Sequence, residues 1–282
     1  MVIFLNILQL IFRIIFFLPA GIALAIMNFC ALLTYYVVRV TPLRKNTENN
    51  IKLVLPHADS RTIADKLLKN TSYSIFEILC IPFFKKEHFH KKIRWHGERH
   101  LKNGAIILTM HAGNYELIPS ALAHLGHKTT TVLRATDDPL FKIVNRSRSH
   151  GGAKLINTLE EDMYKGSLKA LSEGELVFLL ADTGALESRH EFFDFLGKKV
   201  PVATGWLTLA QRAGCPVIPT LTGRENGKNL IAFFDPIYIT KENREAMMEK
   251  TAKVFEDFIK ANPESWALFL NTYETKRMVE GK

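Results

Sequence analysis

The residues best suited to chemistry lie in one short stretch, His111-Ala112-Gly113-Asn114-Tyr115-Glu116. An imidazole and a carboxylate there stand five positions apart. On one continuous helix such positions point about 140° away from each other. The pair meets only if the chain turns between them, and Gly113 permits that turn. A carboxylate bonded to one ring nitrogen fixes the tautomer and stabilises the imidazolium once the other nitrogen takes a proton. On this reading His111 is a general base toward a hydroxyl, and Glu116 is the carboxylate that orients it. The chain contains no G-x-S-x-G nucleophile elbow. The acceptor alcohol would then be the nucleophile itself, attacking a thioester directly. A plainer reading also fits the spacing: a core histidine satisfied by a neighbour, with a solvated acid nearby.

These side chains need elements to position them. Short apolar runs at 105–110, 129–133, 176–180, 217–221 and 230–234 have the near-continuous hydrophobicity of strands buried on both faces. Helical patterns occupy 60–80, 115–124, 139–150, 160–172, 205–213 and 243–261, with Ser60 as a cap for the first. The alternation predicts an α/β fold, a mostly parallel central sheet flanked by helices. Ligands in such sheets sit beyond the carboxyl ends of strands, where His111 falls. Asn114 is the expected helix cap, and Pro119 is tolerable only in the first turn. Glu116 should therefore lie near a helix N-terminus, where the dipole favours negative charge.

Other candidates follow the same logic. Arg134 follows the run at 129–133 and suits a phosphate. Arg146 and Arg148 end a helical stretch, where they would bind a phosphate or complement the helix dipole. Asp182 follows the run at 176–180 and would orient Arg134 or an acceptor group, or simply form a turn. Thr204 and Gly205 would offer N–H groups to an anion or cap a helix. Asn114 joins this set as a candidate substrate contact. Phe192, Phe193 and Phe195 would line an acyl channel or belong to the core. The histidines form no zinc pattern and read as solvent-exposed or capping, so no metal site and no cofactor is expected.

Composition narrows the setting. The chain has 282 residues, 47% of them hydrophobic, and a net charge of +9. A basic surface suits an anionic membrane, an acidic carrier protein or a phosphorylated ligand. No nucleic-acid-binding motif accompanies the charge, so no nucleic-acid partner is expected. Cys30, Cys80 and Cys215 form no disulfide framework. About 25 uncharged residues at 14–38 are long enough to cross a bilayer, and a retained anchor suits them better than a cleaved signal. We divide the chain into an anchor at 1–40 and a catalytic domain at 41–282. Arg39, Arg44 and Lys45 after the run outweigh Arg13 before it, which favours a cytoplasmic C-terminal part. Pro19, Gly21 and Asn28 leave open whether the anchor spans the membrane or lies in its plane.

The segment from His111 to Glu116 resembles the H-x-x-x-x-D/E motif of the lysophospholipid acyltransferase superfamily. Its context is similar to the lipid A biosynthesis (secondary) acyltransferases, with Tyr115 where that family usually has Trp. Matching stretches follow in order: Leu133-Arg134 with Asp138-Pro139-Leu140, Arg146 to Arg148, Leu180-Ala181-Asp182, Phe192-Phe193, Thr204-Gly205, Leu209-Ala210, and Gly214 to Pro219. The chain departs from the pattern at Thr183, where Gln or His is usual. It departs again at 268–272, where Trp-x-His-x-Arg is common. The resemblance implies an acyltransferase fold and an acyl–acyl carrier protein or acyl-CoA donor. It also implies a lipid A precursor as acceptor and a site on the cytoplasmic side of a bacterial inner membrane. A lysophospholipid, an ornithine-type lipid or another glycolipid stands as the alternative acceptor. The rival outside catalysis is a membrane-anchored lipid- or carrier-binding protein.

Overall fold

The computed structural model describes residues 2–133, 139–157, 162–182 and 190–280. The uncharged run at 14–38 is mostly one helix, α2 (Ala20–Arg39), and its first two residues belong to a preceding apolar helix, α1 (Val2–Ile15). Pro19 sits at the start of α2, where its missing N–H costs nothing. Among the described residues α2 alone is long and apolar enough to cross a membrane. Its inner face is buried at Ala23, Met27 and Ala31, while Phe29, Leu33 and Val37 on the outer face are exposed. Two further helices follow, α3 (Pro42–Val54) and α4 (Ser60–Cys80). The α1–α2 hairpin is joined to α4 by a cluster that includes Phe12, Phe16, Met27, Phe76 and Cys80. Asp59, not Ser60, caps α4, its carboxylate accepting from the N–H of Thr62 at 3.1 Å.

The polar, basic stretch at 85–100 is partly structured. It forms α5 (Lys86–Lys92) and the strand β1 (Ile93–His96). His88 there is buried and accepts the Lys85 N–H at Nδ1, which makes it a cap rather than a surface group.

The α/β body then alternates as expected. In order come β2 (Ile106–Thr109), α6 (Leu117–His124), β3 (Thr129–Leu133), α7 (Pro139–His150), β4 (Ala153–Asn157), α8 (Met163–Ser172) and β5 (Leu176–Leu180). A two-stranded hairpin, β6 (His190–Phe195) and β7 (Lys198–Ala203), is followed by α9 (Gly205–Ala213), β8 (Val217–Glu225) and β9 (Lys228–Phe233). The helices α10 (Arg244–Ala261) and α11 (Thr272–Glu280) complete the chain. The seven-stranded sheet has the order β1-β9-β8-β2-β5-β3-β4. All its pairings are parallel except β8 with β9. Strand β2 is buried at every position. Apolar clusters cover both faces of the sheet, as a parallel sheet requires.

Candidate active site

Strands β2 and β5 are adjacent and parallel, with Thr109 opposite Leu180. Two residues beyond each stand His111 and Asp182. The register therefore delivers an imidazole and a carboxylate side by side at the carboxyl ends of the central strands. His111 Nδ1 lies 2.7 Å from Asp182 Oδ1, and the His111 backbone N–H donates to the same carboxylate at 2.9 and 3.1 Å. The indole N–H of Trp266 donates to Asp182 Oδ2 at 3.1 Å. An ionised carboxylate only accepts, so the Nδ1 proton points at Asp182 and Nε2 is left basic.

Burial works against a charged imidazole, but Asp182, aided by Glu116, outweighs it and raises the His111 pKa above its ordinary value. Burial likewise opposes ionisation of Asp182, yet its bond and charge pairing with His111 hold that carboxyl below its ordinary range. The imidazole side chain keeps 22% of its surface exposed, against 6% for Asp182. A proton therefore has a route to His111 and hardly one to its partner.

This corrects the expected pairing. Glu116 sits at the start of α6, but its carboxylate accepts a two-pronged contact from Arg148 on α7. Arg148 Nε reaches Oε2 at 2.6 Å and Nη2 reaches Oε1 at 2.5 Å. Arg148 is thus neither a solvent-facing dipole partner nor free for a phosphate. It is a buried strut that ties α7 to the loop carrying His111. Tyr115 lies between the two pairs, its ring edge-on to His111 with centroids 4.7 Å apart. Burial, then the nearby Glu116 carboxylate, push the Tyr115 phenol well above its ordinary pKa. The Glu116–Arg148 pair predicts non-additive stability. Glu116→Gln alone should cost about 3 kcal/mol in urea unfolding, because a buried guanidinium loses its counter-charge. Combining it with Arg148→Met should recover at least half of that loss.

The loop itself is held from three sides. Gly113 has φ +56, and a Cβ there would come within 2.5 Å of the Thr222 carbonyl oxygen. The Gly113 N–H donates to the Ser265 carbonyl at 2.6 Å, and the Ala267 N–H donates to the His111 carbonyl at 2.7 Å. These bonds to the 263–270 segment also bring Trp266 to Asp182. Asn114 does not cap α6. Its amide donates to Oε2 of Glu77 at 2.8 Å. Glu77, on α4, is fully buried and also meets Arg224, Asn229 and Lys92, the last at 2.6 Å. Lys92 in turn donates to Asn28 of α2 at 3.2 Å, which explains a polar residue in that apolar helix.

A narrow apolar cavity of about 40 Å³ begins beside Asp182. It runs between β7 and α10, past Val200, Val202, Trp206, Met248, Ala252 and Phe255. The chain belongs to the bacterial lipid A biosynthesis acyltransferase family, whose model matches residues 2–275. It is accordingly a lipid acyltransferase. No functionally curated protein sequence matches it. Among solved structures, the 1-acyl-sn-glycerophosphate (LPA) acyltransferase PlsC from Thermotoga maritima is similar at 13% identity and a TM-score of 0.41. The match covers 84% of this chain and 99% of that one.

The remaining candidate residues of this acyltransferase disperse. Thr204 is buried ahead of α9 and Gly205 opens that helix, one residue before the cavity-lining Trp206. Arg146 is exposed and faces a separate cleft against α1. Phe192 is about half exposed and Phe195 is buried against Trp266. Arg134 lies outside the described residues, as does the side chain of Phe193. Sequence reading missed Trp266 and Glu77. Trp266 is one of only three tryptophans in the chain, and that rarity was its one signal. Glu77 had one too, as an acid amid the apolar positions of a helix.

Proposed function

We propose that this lipid acyltransferase performs thioester-dependent O-acylation with His111 as general base and Asp182 as the carboxylate that orients it. His111 Nε2 takes the proton of the acceptor hydroxyl as its oxygen attacks the thioester carbonyl carbon. The tetrahedral intermediate then collapses, the carbon–sulfur bond breaks, and the imidazolium returns the proton to the departing thiolate. The donor is an acyl–acyl carrier protein or acyl-CoA, and the acceptor is a lipid A precursor. The setting is the cytoplasmic side of a bacterial inner membrane, with α1 and α2 as the anchor. The observation that carries this reading is the 2.7 Å contact of His111 with Asp182, a residue that lines an apolar cavity.

The test is acyl transfer by the detergent-solubilised chain, with both donors and with lipid A precursor, lysophospholipid and ornithine-type lipid as acceptors. His111→Ala should abolish turnover, and a variant with full turnover would refute the role. A preference for another acceptor would move the substrate assignment without touching the base.

At about 40 Å³ the cavity would have to open to take an acyl chain. Met248 and Met278 line it, and unbranched thioether side chains can rotate to admit a chain of methylenes. Ala252→Phe should shift selectivity toward shorter acyl donors by about tenfold in relative kcat/KM. Parallel assays with donors of graded length would read this, and unchanged selectivity would place the acyl chain elsewhere.

A further inference from the structure

Away from His111, a cleft of about 540 Å³ lies between α1, α7 and the turn that follows α4. Its volume is within the range of ordinary ligand sites, and it shares no lining residue with the cavity beside Asp182. Arg13 of α1 and Arg146 and His150 of α7 line it, with the amides of Asn6 and Gln9, and no carboxylate lines it. Neither Arg13 nor Arg146 has a carboxylate partner among the described residues. His150 Nδ1 is engaged by the Arg146 carbonyl at 2.8 Å, leaving Nε2 as the ring's other hydrogen-bonding atom. Two guanidinium groups converging on a concave space without acids focus positive potential there and match the oxygens of a phosphate.

The rim of the cleft says where that phosphate comes from. Leu10, Ile14 and Phe17 of the α1 hairpin are 57%, 64% and 80% exposed, and they follow one another at helical spacing. Arg13 stands beside this stripe. An apolar stripe of this kind sinks into the acyl boundary of a bilayer, which puts the adjacent guanidinium at the depth of the headgroups.

We infer that the Arg13–Arg146 cleft is a binding site for the headgroup phosphate of an anionic membrane lipid, separate from the acyl-transfer site. The lipid bridges α1 to α7. Two residues beyond Arg146 on α7, Arg148 grips Glu116, so occupancy steadies the helix that braces the catalytic loop.

The test uses the full chain in detergent micelles and short-chain phosphatidylglycerol or phosphatidylcholine, with bound lipid read by native mass spectrometry. Wild type should prefer phosphatidylglycerol. Arg13→Gln with Arg146→Gln should weaken that binding by roughly twenty-five-fold, at about fivefold per arginine. Arg99→Gln with Arg212→Gln removes the same charge from exposed positions elsewhere and should leave binding unchanged. Arg13→Lys with Arg146→Lys should retain most of it, which guards against a folding defect in the glutamine variant. Excess inorganic phosphate should fail to displace the lipid. Equal binding of the two lipids would overturn the inference. So would retained preference in the Arg13/Arg146 glutamine variant, or an equal loss in the Arg99/Arg212 control. Ready displacement by inorganic phosphate would overturn the assignment to a lipid.

Discussion

Asp182→Asn should lower kcat by about 10³–10⁴-fold, the effect of replacing the orienting carboxylate in other histidine-based sites. Asparagine occupies the same space but offers an amide where His111 needs a full acceptor, and it favours the wrong tautomer. The fold should survive, because Trp266 and the His111 backbone N–H can still donate to the remaining carbonyl oxygen. Substrate affinity should change little, since asparagine keeps the shape of the Asp182 side chain, which is only 6% exposed. The pH profile separates this loss from general damage. In wild type the base is active only when neutral, so activity rises with pH through the His111 pKa, which lies above its ordinary value of 6.5. Without the carboxylate the burial penalty remains while the main stabiliser of the imidazolium is gone. The acid limb of kcat/KM should therefore move to lower pH even as the plateau falls. An unmoved limb, or a variant with most of its activity, would remove Asp182 from the reaction.

The second large effect is on stability. Glu77→Gln should cost about 5 kcal/mol, because it leaves Arg224 and Lys92 buried beside a neutral amide. For a chain of this size the melting temperature should fall on the order of 10 °C. Burial alone would raise the Glu77 pKa, but Arg224 and Lys92 overcome it and hold the carboxyl well below its ordinary 4.5. The sign of the linkage follows. The network's contribution is fully present above pH 4.5 and is lost as pH falls through the depressed value. Wild type should thus lose more stability on acidification than the glutamine variant, which has no carboxyl to protonate. Unfolding curves across the acid range would check this, and equal acid sensitivity would show that the network contributes little. Because Glu77 also holds Asn114 at 2.8 Å, the same variant should loosen the loop that carries His111.

Much of this was legible along the chain. The runs at 129–133 and 176–180 are the strands β3 and β5, and the helical pattern at 139–150 is α7. Buried parallel strands and amphipathic helices carry their own periodicity, so local patterning suffices to find them. The strands β1 and β4 and the β6–β7 hairpin escaped because none of them carries a continuous apolar run. The break at Pro19 was visible as a helix-weakening signal, but its consequence was not. The run alone does not show that α2 and the helix before it share a buried face, which packs against Phe76 and Cys80 of α4.

The site divides along the same line. The sequence by itself determined the family, the presence of His111 at the end of a central strand, and the turn at Gly113. The last two depend on residues close together in the chain, and the family on an ordered series of short local motifs. The partner of His111 was decided by tertiary structure. Asp182 lies 71 residues away and arrives through the parallel register of β2 with β5. Glu116, the near neighbour, is claimed by Arg148 on α7. A hydrogen bond depends on where side chains end in space, and in a crossover sheet that is set by which strands lie side by side.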